Sequence, residues 1–136
     1  MSSLPVSTLS KTLLYLAAFA SSTTALGHTK MGYDLVFPAL KKLGAGADGK
    51  GNGKDKNAAI SARIGWLEVN QGFVIFSIFC IKWAQFGIVD IYDKAFASFY
   101  CVAQVYFGWC YFRAGIMEPV TPLWGIPALV GLSQLV

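Results

Sequence analysis

Residues 72–81 read GFVIFSIFCI, an almost uninterrupted apolar run inside the longer segment 60–85. A run of this kind suits the hydrocarbon core of a bilayer, which an α-helix of about 20 residues crosses. The rest of the chain has the same character, since 55% of its 136 residues are hydrophobic and only 13% are charged. Soluble domains carry roughly a quarter of charged residues. The sequence therefore predicts an integral membrane protein.

Three further segments resemble spanning helices. With the central segment they give four predicted spans, at residues 6–27, 60–85, 94–113 and 120–136. Pro122 and Pro127 interrupt the last span, and spanning helices tolerate proline when their neighbours satisfy the freed carbonyls. The predicted fold is all-α, a single domain over residues 1–136 built as a bundle of four transmembrane helices.

The positive charges are concentrated before the central span. Six of the nine lysines lie between residues 30 and 56, and residues 41–58 are rich in Gly, Lys and Asp. This composition predicts one polar, solvated loop. Lysine-rich loops stay in the cytosol, so both termini are predicted on the opposite face. Because these lysines flank apolar spans, the predicted partner is the lipid bilayer and no nucleic acid. The short spans and the lack of a transit peptide favour the endoplasmic reticulum.

The first segment has two interpretations. Its apolar centre, residues 13–20, is followed by the small residues SSTTA at 21–25, as in a cleaved signal peptide. The same small residues suit a retained helix in close contact with its neighbours, and this interpretation is favoured. The following residues, 27–40, are amphipathic and are broken by Pro38. They are predicted to lie in the headgroup plane or to fold back on the bundle.

Glu68 is the first candidate catalytic residue. An ionisable side chain two turns inside a spanning helix is costly, so it marks a functional group or a buried pair. Gln71 follows one turn later, whereas Asn70 shares a different face with Arg63 and Trp66. The alternative is that the span begins near Gln71, which leaves Glu68 at the membrane interface near a helix N-terminus, where a carboxylate is favoured.

His28, the only histidine, is the second candidate catalytic residue. It titrates near neutral pH and can act as a general acid or base. The alternative is a capping role at the end of the first helix, where a cation suits the helix dipole. One histidine with scattered carboxylates gives no ligand spacing, so no metal site is predicted. No nucleotide-binding motif is present either, and no cofactor is predicted.

Polar residues also recur along the third predicted span. Tyr100, Gln104, Gly108 and Tyr111 follow helical spacing on one face. Gln104 needs a hydrogen-bond partner in mid-membrane, which Glu68 or Asn70 would supply. In one interpretation this polar contact joins helices.

In the other interpretation this face lines a pocket for a lipophilic small molecule. Asn70, Gln71, Tyr100 and Gln104 are then the predicted substrate-binding residues. The three cysteines, Cys80, Cys101 and Cys110, lie in apolar surroundings without a CxxC pair. They are predicted to be buried free thiols.

A short element after the first span adds a family resemblance. Gly27-x-x-Lys30-x-Gly32, with Pro38 nearby and four compact spans, resembles the small four-helix membrane proteins of the DoxX-like type and their fungal relatives of unknown function. The long Gly/Lys loop departs from that pattern. Similar small families include the membrane-bound anthrone oxygenases, so the resemblance implies a role in fungal secondary metabolism. No catalytic residue is carried across by it.

Two functional hypotheses follow. The first is an intramembrane enzyme, or an enzyme accessory, that acts on a hydrophobic small molecule such as a polyketide or terpenoid. The reaction would be an isomerisation, a cyclisation or a cofactor-free oxygenation, with Glu68 as the acid/base group and His28 assisting. The second is a non-enzymatic membrane subunit, assembly factor or transport partner, acting as a homo-oligomer or with another membrane protein.

Overall fold

The computed structural model of this chain describes residues 6–45 and 53–136, and all secondary structure in these ranges is helical. The prediction of an all-α protein is therefore confirmed for the described residues. In chain order the elements are α1 (Thr8–Met31), a π-helical turn (Gly32–Val36), α2 (Phe37–Ala45), α3 (Gly53–Phe86), α4 (Ile91–Arg113) and α5 (Val120–Ser133).

Within the described ranges, α3 is the one helix both long and apolar enough to cross a membrane. The helices α1 and α4 have sufficient length, with 24 and 23 residues. However, hydroxyl side chains in α1 and the tyrosines, tryptophan and glutamine in α4 make them less apolar. The apolar helix α5 has 14 residues, which gives a length of about 21 Å. Among the described helices, membrane association is thus supported by α3 alone.

The helices begin and end at residues other than those predicted. The helix α1 continues past residue 27 to Met31, and α3 begins at Gly53 rather than near residue 60. Residues 41–45 and 53–58, predicted as parts of a polar loop, are helical, whereas residues 46–52 lie outside the described ranges. Asp55 stands in the first turn of α3, where a carboxylate favours the helix N-terminus.

Pro38 does not end the helical run, contrary to the prediction. A proline inside an α-helix lacks its N–H and clashes with the carbonyl four residues earlier, here that of Asp34. The backbone before Pro38 widens instead into the π-helical turn, in which the Phe37 N–H donates to the Gly32 carbonyl five residues back. Pro38 then occupies the first turn of α2, where its missing N–H costs little.

The chain forms two compact units, the first of Met1–Ser22 with Phe76–Val136 and the second of Thr23–Ile75. In the first unit, small residues of α1 and aromatic residues of α3 and α4 build the core. The Phe76 and Tyr100 rings stack with centroids 3.7 Å apart. The α4–α5 contact depends on Gly108, because a Cβ there would lie 2.5 Å from Cδ1 of Trp124. The Trp124 indole donates to the Val105 carbonyl at 3.1 Å.

The turn between α3 and α4 also belongs to the first unit. Gly87 ends α3 with a φ of +79°, a left-handed conformation that favours glycine. Asp90 begins α4 as its N-cap, accepting a hydrogen bond from the Asp93 N–H at 2.7 Å. These two residues account for the sharp end of one helix and the start of the next.

In the second unit, α2 packs along the first part of α3. Gly44 approaches Ala59, so that a Cβ at Gly44 would lie 3.2 Å from the Ala59 Cβ. At the other end of α2, the Arg63 guanidinium lies 4.8 Å from the centroid of the buried Phe37 ring. The contacts pair the start of α2 with a later part of α3, so the two segments run antiparallel.

Much of the apolar surface is not covered by protein. Among the described residues, 33 large hydrophobic side chains are exposed, whereas 16 hydrophobic side chains are buried. Of the cysteines, Cys80 is buried and Cys101 is partly buried, but Cys110 is exposed, so the prediction of three buried thiols is wrong for Cys110. Soluble monomers rarely expose large contiguous apolar patches, so this many exposed apolar side chains favours contact with lipid or with another protein.

A candidate polar site around His28

His28 lies in the last turn of α1 and contacts the middle of α3. Its Nδ1 atom is 3.0 Å from Oδ1 of Asn70. Its ring stacks on that of Trp66, with centroids 4.0 Å apart and planes inclined by 8°. The Trp66 indole also donates to the His28 carbonyl at 3.0 Å. Phe73 closes one edge of the imidazole, 5.9 Å away between ring centroids. We call His28, Thr29, Trp66 and Asn70 the His28 cluster.

The hydrogen bonds of the cluster fix the tautomer of His28. The Thr29 hydroxyl donates to the Ala25 carbonyl at 2.9 Å, so its oxygen is left to accept from Nδ2 of Asn70, also at 2.9 Å. The Asn70 amide is thereby oriented with Oδ1 toward His28. An amide oxygen only accepts, so Nδ1 of His28 carries the hydrogen. In the neutral ring, Nε2 then holds the lone pair and is the basic nitrogen.

The environment of His28 favours this neutral form. His28 follows the first predicted span, residues 6–27, and is partly buried. Burial lowers the pKa of His28 below its ordinary value of 6.5, and the hydrogen bond to Asn70 offsets only part of this effect. The imidazole is therefore available as a base near neutral pH.

Gly32 permits the close packing of the cluster. A Cβ at Gly32 would lie 2.6 Å from Nε1 of Trp66 and 2.9 Å from its Cδ1. No side chain other than hydrogen fits there without moving the indole. Gly32, the last residue of the Gly27-x-x-Lys30-x-Gly32 element, thus allows the Trp66 ring to pack closely against the backbone. Next to it, Lys30 and Asp34 form an exposed ion pair one turn apart.

The other predicted catalytic residue, Glu68, does not join the cluster. Glu68 and Gln71 are both exposed, and neither has a hydrogen bond or ion pair to a described residue. The sequence predicted that Asn70 and Glu68 lie on different faces of α3, and the structure also has them on different faces. Asn70 and Trp66 contact α1, whereas the Glu68 and Gln71 face is open in the described ranges.

Tyr100 and Gln104, predicted to bind substrate, lie in the first unit. They stand with Gly108 and Tyr111 on the inner face of α4, where Gln104 and Gly108 are buried and the tyrosines are partly buried. Oε1 of Gln104 is buried and has no hydrogen-bond partner among the described residues. Asn70, one of its two predicted partners, is bonded to His28 and Thr29 instead.

The first unit contains an ion pair that was not predicted from the sequence. Nζ of Lys82 donates to Oδ1 of Asp93 at 2.6 Å, and the Asp93 side chain is 2% exposed. Burial alone would raise the pKa of this carboxyl, which precedes the third predicted span. The charge and hydrogen bond of Lys82, together with the Trp83 indole, outweigh burial and hold the pKa below its usual range. The Asp90-x-x-Asp93 spacing indicates the start of a helix, but it does not indicate that Lys82 pairs with Asp93.

The described residues contain no group of three or more His, Cys, Asp or Glu side chains that could hold a metal ion. Comparison with models of known protein families, with curated proteins and with solved structures gave no match. The His28 cluster, the Lys82–Asp93 ion pair and the distribution of apolar surface are therefore the features that bear on function.

Proposed function

We propose that this chain is a multi-pass membrane protein in which α1, α3, α4 and α5 each contact lipid. Only 22% of the apolar 18-residue stretch of α3 is buried, whereas the core helix of a soluble protein is mostly buried. On α4, Tyr92, Phe99 and Val102 are 82%, 76% and 69% exposed, and hydrocarbon is the solvent in which such side chains are stable. The short α5 would be accommodated by local thinning of the bilayer.

The proposed activity is binding of a hydrophobic small molecule at the His28 cluster, with His28 as the proton acceptor. The observation that carries this proposal is the hydrogen-bond chain Ala25–Thr29–Asn70–His28, which presents Nε2 as the base. A ring oriented by a second side chain is the arrangement of general bases. An isomerisation by proton transfer, or a cyclisation that begins with proton abstraction, uses such a base, which takes a proton from one atom of the polyketide or terpenoid and returns it to another.

In this proposal, His28 rather than Glu68 is the catalytic residue. Asn70 and Thr29 are positioning residues, because they hold the imidazole and its tautomer. The resemblance to DoxX-like proteins and fungal secondary-metabolite families supports a lipophilic substrate by analogy. The endoplasmic reticulum is the membrane proposed from the length of the spans.

The test is recovery of the bound molecule. Full-length protein is purified in mild detergent from its own host, and lipophilic compounds are extracted and compared by mass spectrometry. Wild type and Glu68→Gln should retain the same compound, while His28→Gln should lose it or retain it unconverted. Equal retention and conversion by His28→Gln, with the folded state verified by its melting temperature, would rule out the proposed site.

A second candidate function is a non-enzymatic membrane subunit or assembly factor. The supporting observation is that the partners of His28 and Asn70 in the cluster all belong to α1 and α3, as in a polar joint between helices. A membrane protein that co-purifies with wild type in fixed stoichiometry, and with His28→Gln equally, would favour this function. Loss of a bound metabolite in His28→Gln would favour the first.

A further inference from the structure

The antiparallel pair of α2 and the first part of α3 carries most of the chain's excess positive charge. Residues 30–63 contain seven of the eleven Lys and Arg residues and three of the seven Asp and Glu residues. Their net charge of +4 equals that of the entire chain. Because Lys30 pairs with Asp34, the surplus lies on the helical pair itself. Its exposed basic residues are Lys41, Lys42, Lys54, Lys56 and Arg63.

The position of these residues is set by packing. Gly44 and Ala59 bring the two helices together at one end, and Phe37 with Arg63 does so at the other. The lysines of α2 and of the first turn of α3 are therefore carried on one packed body. Large apolar side chains accompany them, since Leu43, Ile60 and Ile64 are 56%, 49% and 51% exposed.

We propose that this helical pair, which we call the basic hairpin, docks on a leaflet containing anionic phospholipid. The lysines would contact headgroup phosphates and carboxylates, and the exposed Leu43 would enter the interface. Lipid accommodates this mixture of cationic and aliphatic side chains, whereas a nucleic acid would contact only the cations. The cytoplasmic leaflet, where the lysine-rich segment is predicted to lie, is the anionic one. This inference rests on the proposed membrane location.

The test compares two lipid compositions. Full-length protein is reconstituted in nanodiscs of phosphatidylcholine alone, or of phosphatidylcholine with phosphatidylserine, and backbone hydrogen exchange is followed. Exchange in α2 should slow severalfold with phosphatidylserine, and high salt should reverse the effect. In detergent, affinity for short-chain phosphatidylserine should fall about fivefold for each lysine removed in Lys41→Gln and Lys42→Gln.

Lys11→Gln with Lys94→Gln is the matched control, because both are exposed lysines outside the basic hairpin. This pair should leave exchange in α2 and phosphatidylserine affinity unchanged. Equal exchange of α2 in both nanodiscs, or equal loss of affinity in the control, would overturn the inference. So would an oligonucleotide that binds the basic hairpin and displaces phosphatidylserine. Protection of residues 72–81 by lipid tests the membrane location separately, since it should persist in both nanodiscs.

Discussion

Nδ1 of His28 and Oδ1 of Asn70 lie 3.0 Å apart and join α1 to α3, although the two residues are 42 positions apart along the chain. The bond is directional, because the amide of Asn70 is already oriented by Thr29. The same contact therefore packs α1 on α3 and sets the protonation pattern of the imidazole. Stability and proposed chemistry are consequently linked through one side chain, Asn70.

Replacing Asn70 by Ala should destabilise the protein by about 1 to 3 kcal/mol, because partly buried His28 and Thr29 lose their partner. Gln71→Ala is the matched control on the exposed face and should change stability by less than about 0.5 kcal/mol. Thermal unfolding in detergent measures both. Equal melting temperatures for the two variants would contradict the assigned role of Asn70.

Acidification should destabilise the protein through His28. The folded-state pKa of His28 is lowered relative to the unfolded value of 6.5, so the unfolded chain binds the proton more readily. The contribution of the neutral His28 side chain to stability is fully present above pH 6.5. It is lost as the pH falls through the folded-state pKa. Melting temperatures measured from about pH 8 to pH 5 should fall for wild type. The fall should be smaller for His28→Gln, and parallel curves would refute this assignment.

Gly32→Ala should destabilise the cluster by about 1 to 3 kcal/mol, the usual cost of overpacking. The added methyl would lie 2.6 Å from the Trp66 indole nitrogen. Gly65→Ala is the control, because that helical glycine has open space around it, and alanine favours the helix. Unfolding measurements and Trp66-sensitive fluorescence should separate the two variants. A Gly32→Ala protein as stable as Gly65→Ala would mean that the Trp66 ring moves freely.

Lys82→Met should leave the buried Asp93 carboxylate without its cation and lower stability. The loss should be smaller than the roughly 3 to 5 kcal/mol of a fully buried pair, because the Lys82 side chain is 43% exposed. Adding Asp93→Asn should recover part of this loss, since an amide carries no charge. A double-mutant cycle of melting experiments measures the coupling, and additive effects would show that the pair contributes nothing.

The sequence predicted those features that depend on local periodicity. The inner face of α4, with Tyr100, Gln104 and Gly108, follows directly from helical spacing and is the face that packs. The separation of Asn70 from Glu68 and Gln71 on α3 has the same origin. Assigning burial was harder, because a helical wheel shows which residues share a face and not which face is covered. For Glu68 the sequence left open a place inside the span or at the membrane interface, and the side chain is not covered by other described residues.

Other features depend on contacts between distant segments. Glycine has a low helix propensity, so residues 41–45 and 53–58 were predicted as loop, yet the Gly44–Ala59 contact stabilises helix on both sides. The Lys82–Asp93 pair joins two helices across a turn whose geometry Gly87 sets. The π-helical turn before Pro38 is a backbone adjustment that no periodicity of the sequence indicates. Because of it, the helical run continues past Pro38, where the sequence predicted a break.

The widened turn at Gly32–Val36 holds one more residue than the same arc of α-helix would need. If the same five residues took up ordinary α-helical winding, everything beyond them would rotate by about 100°. Lys41 and Lys42 would then face a different direction, although every side chain of α2 would be unchanged. The π-helical winding of this five-residue segment thus sets the direction in which the cationic surface of α2 faces.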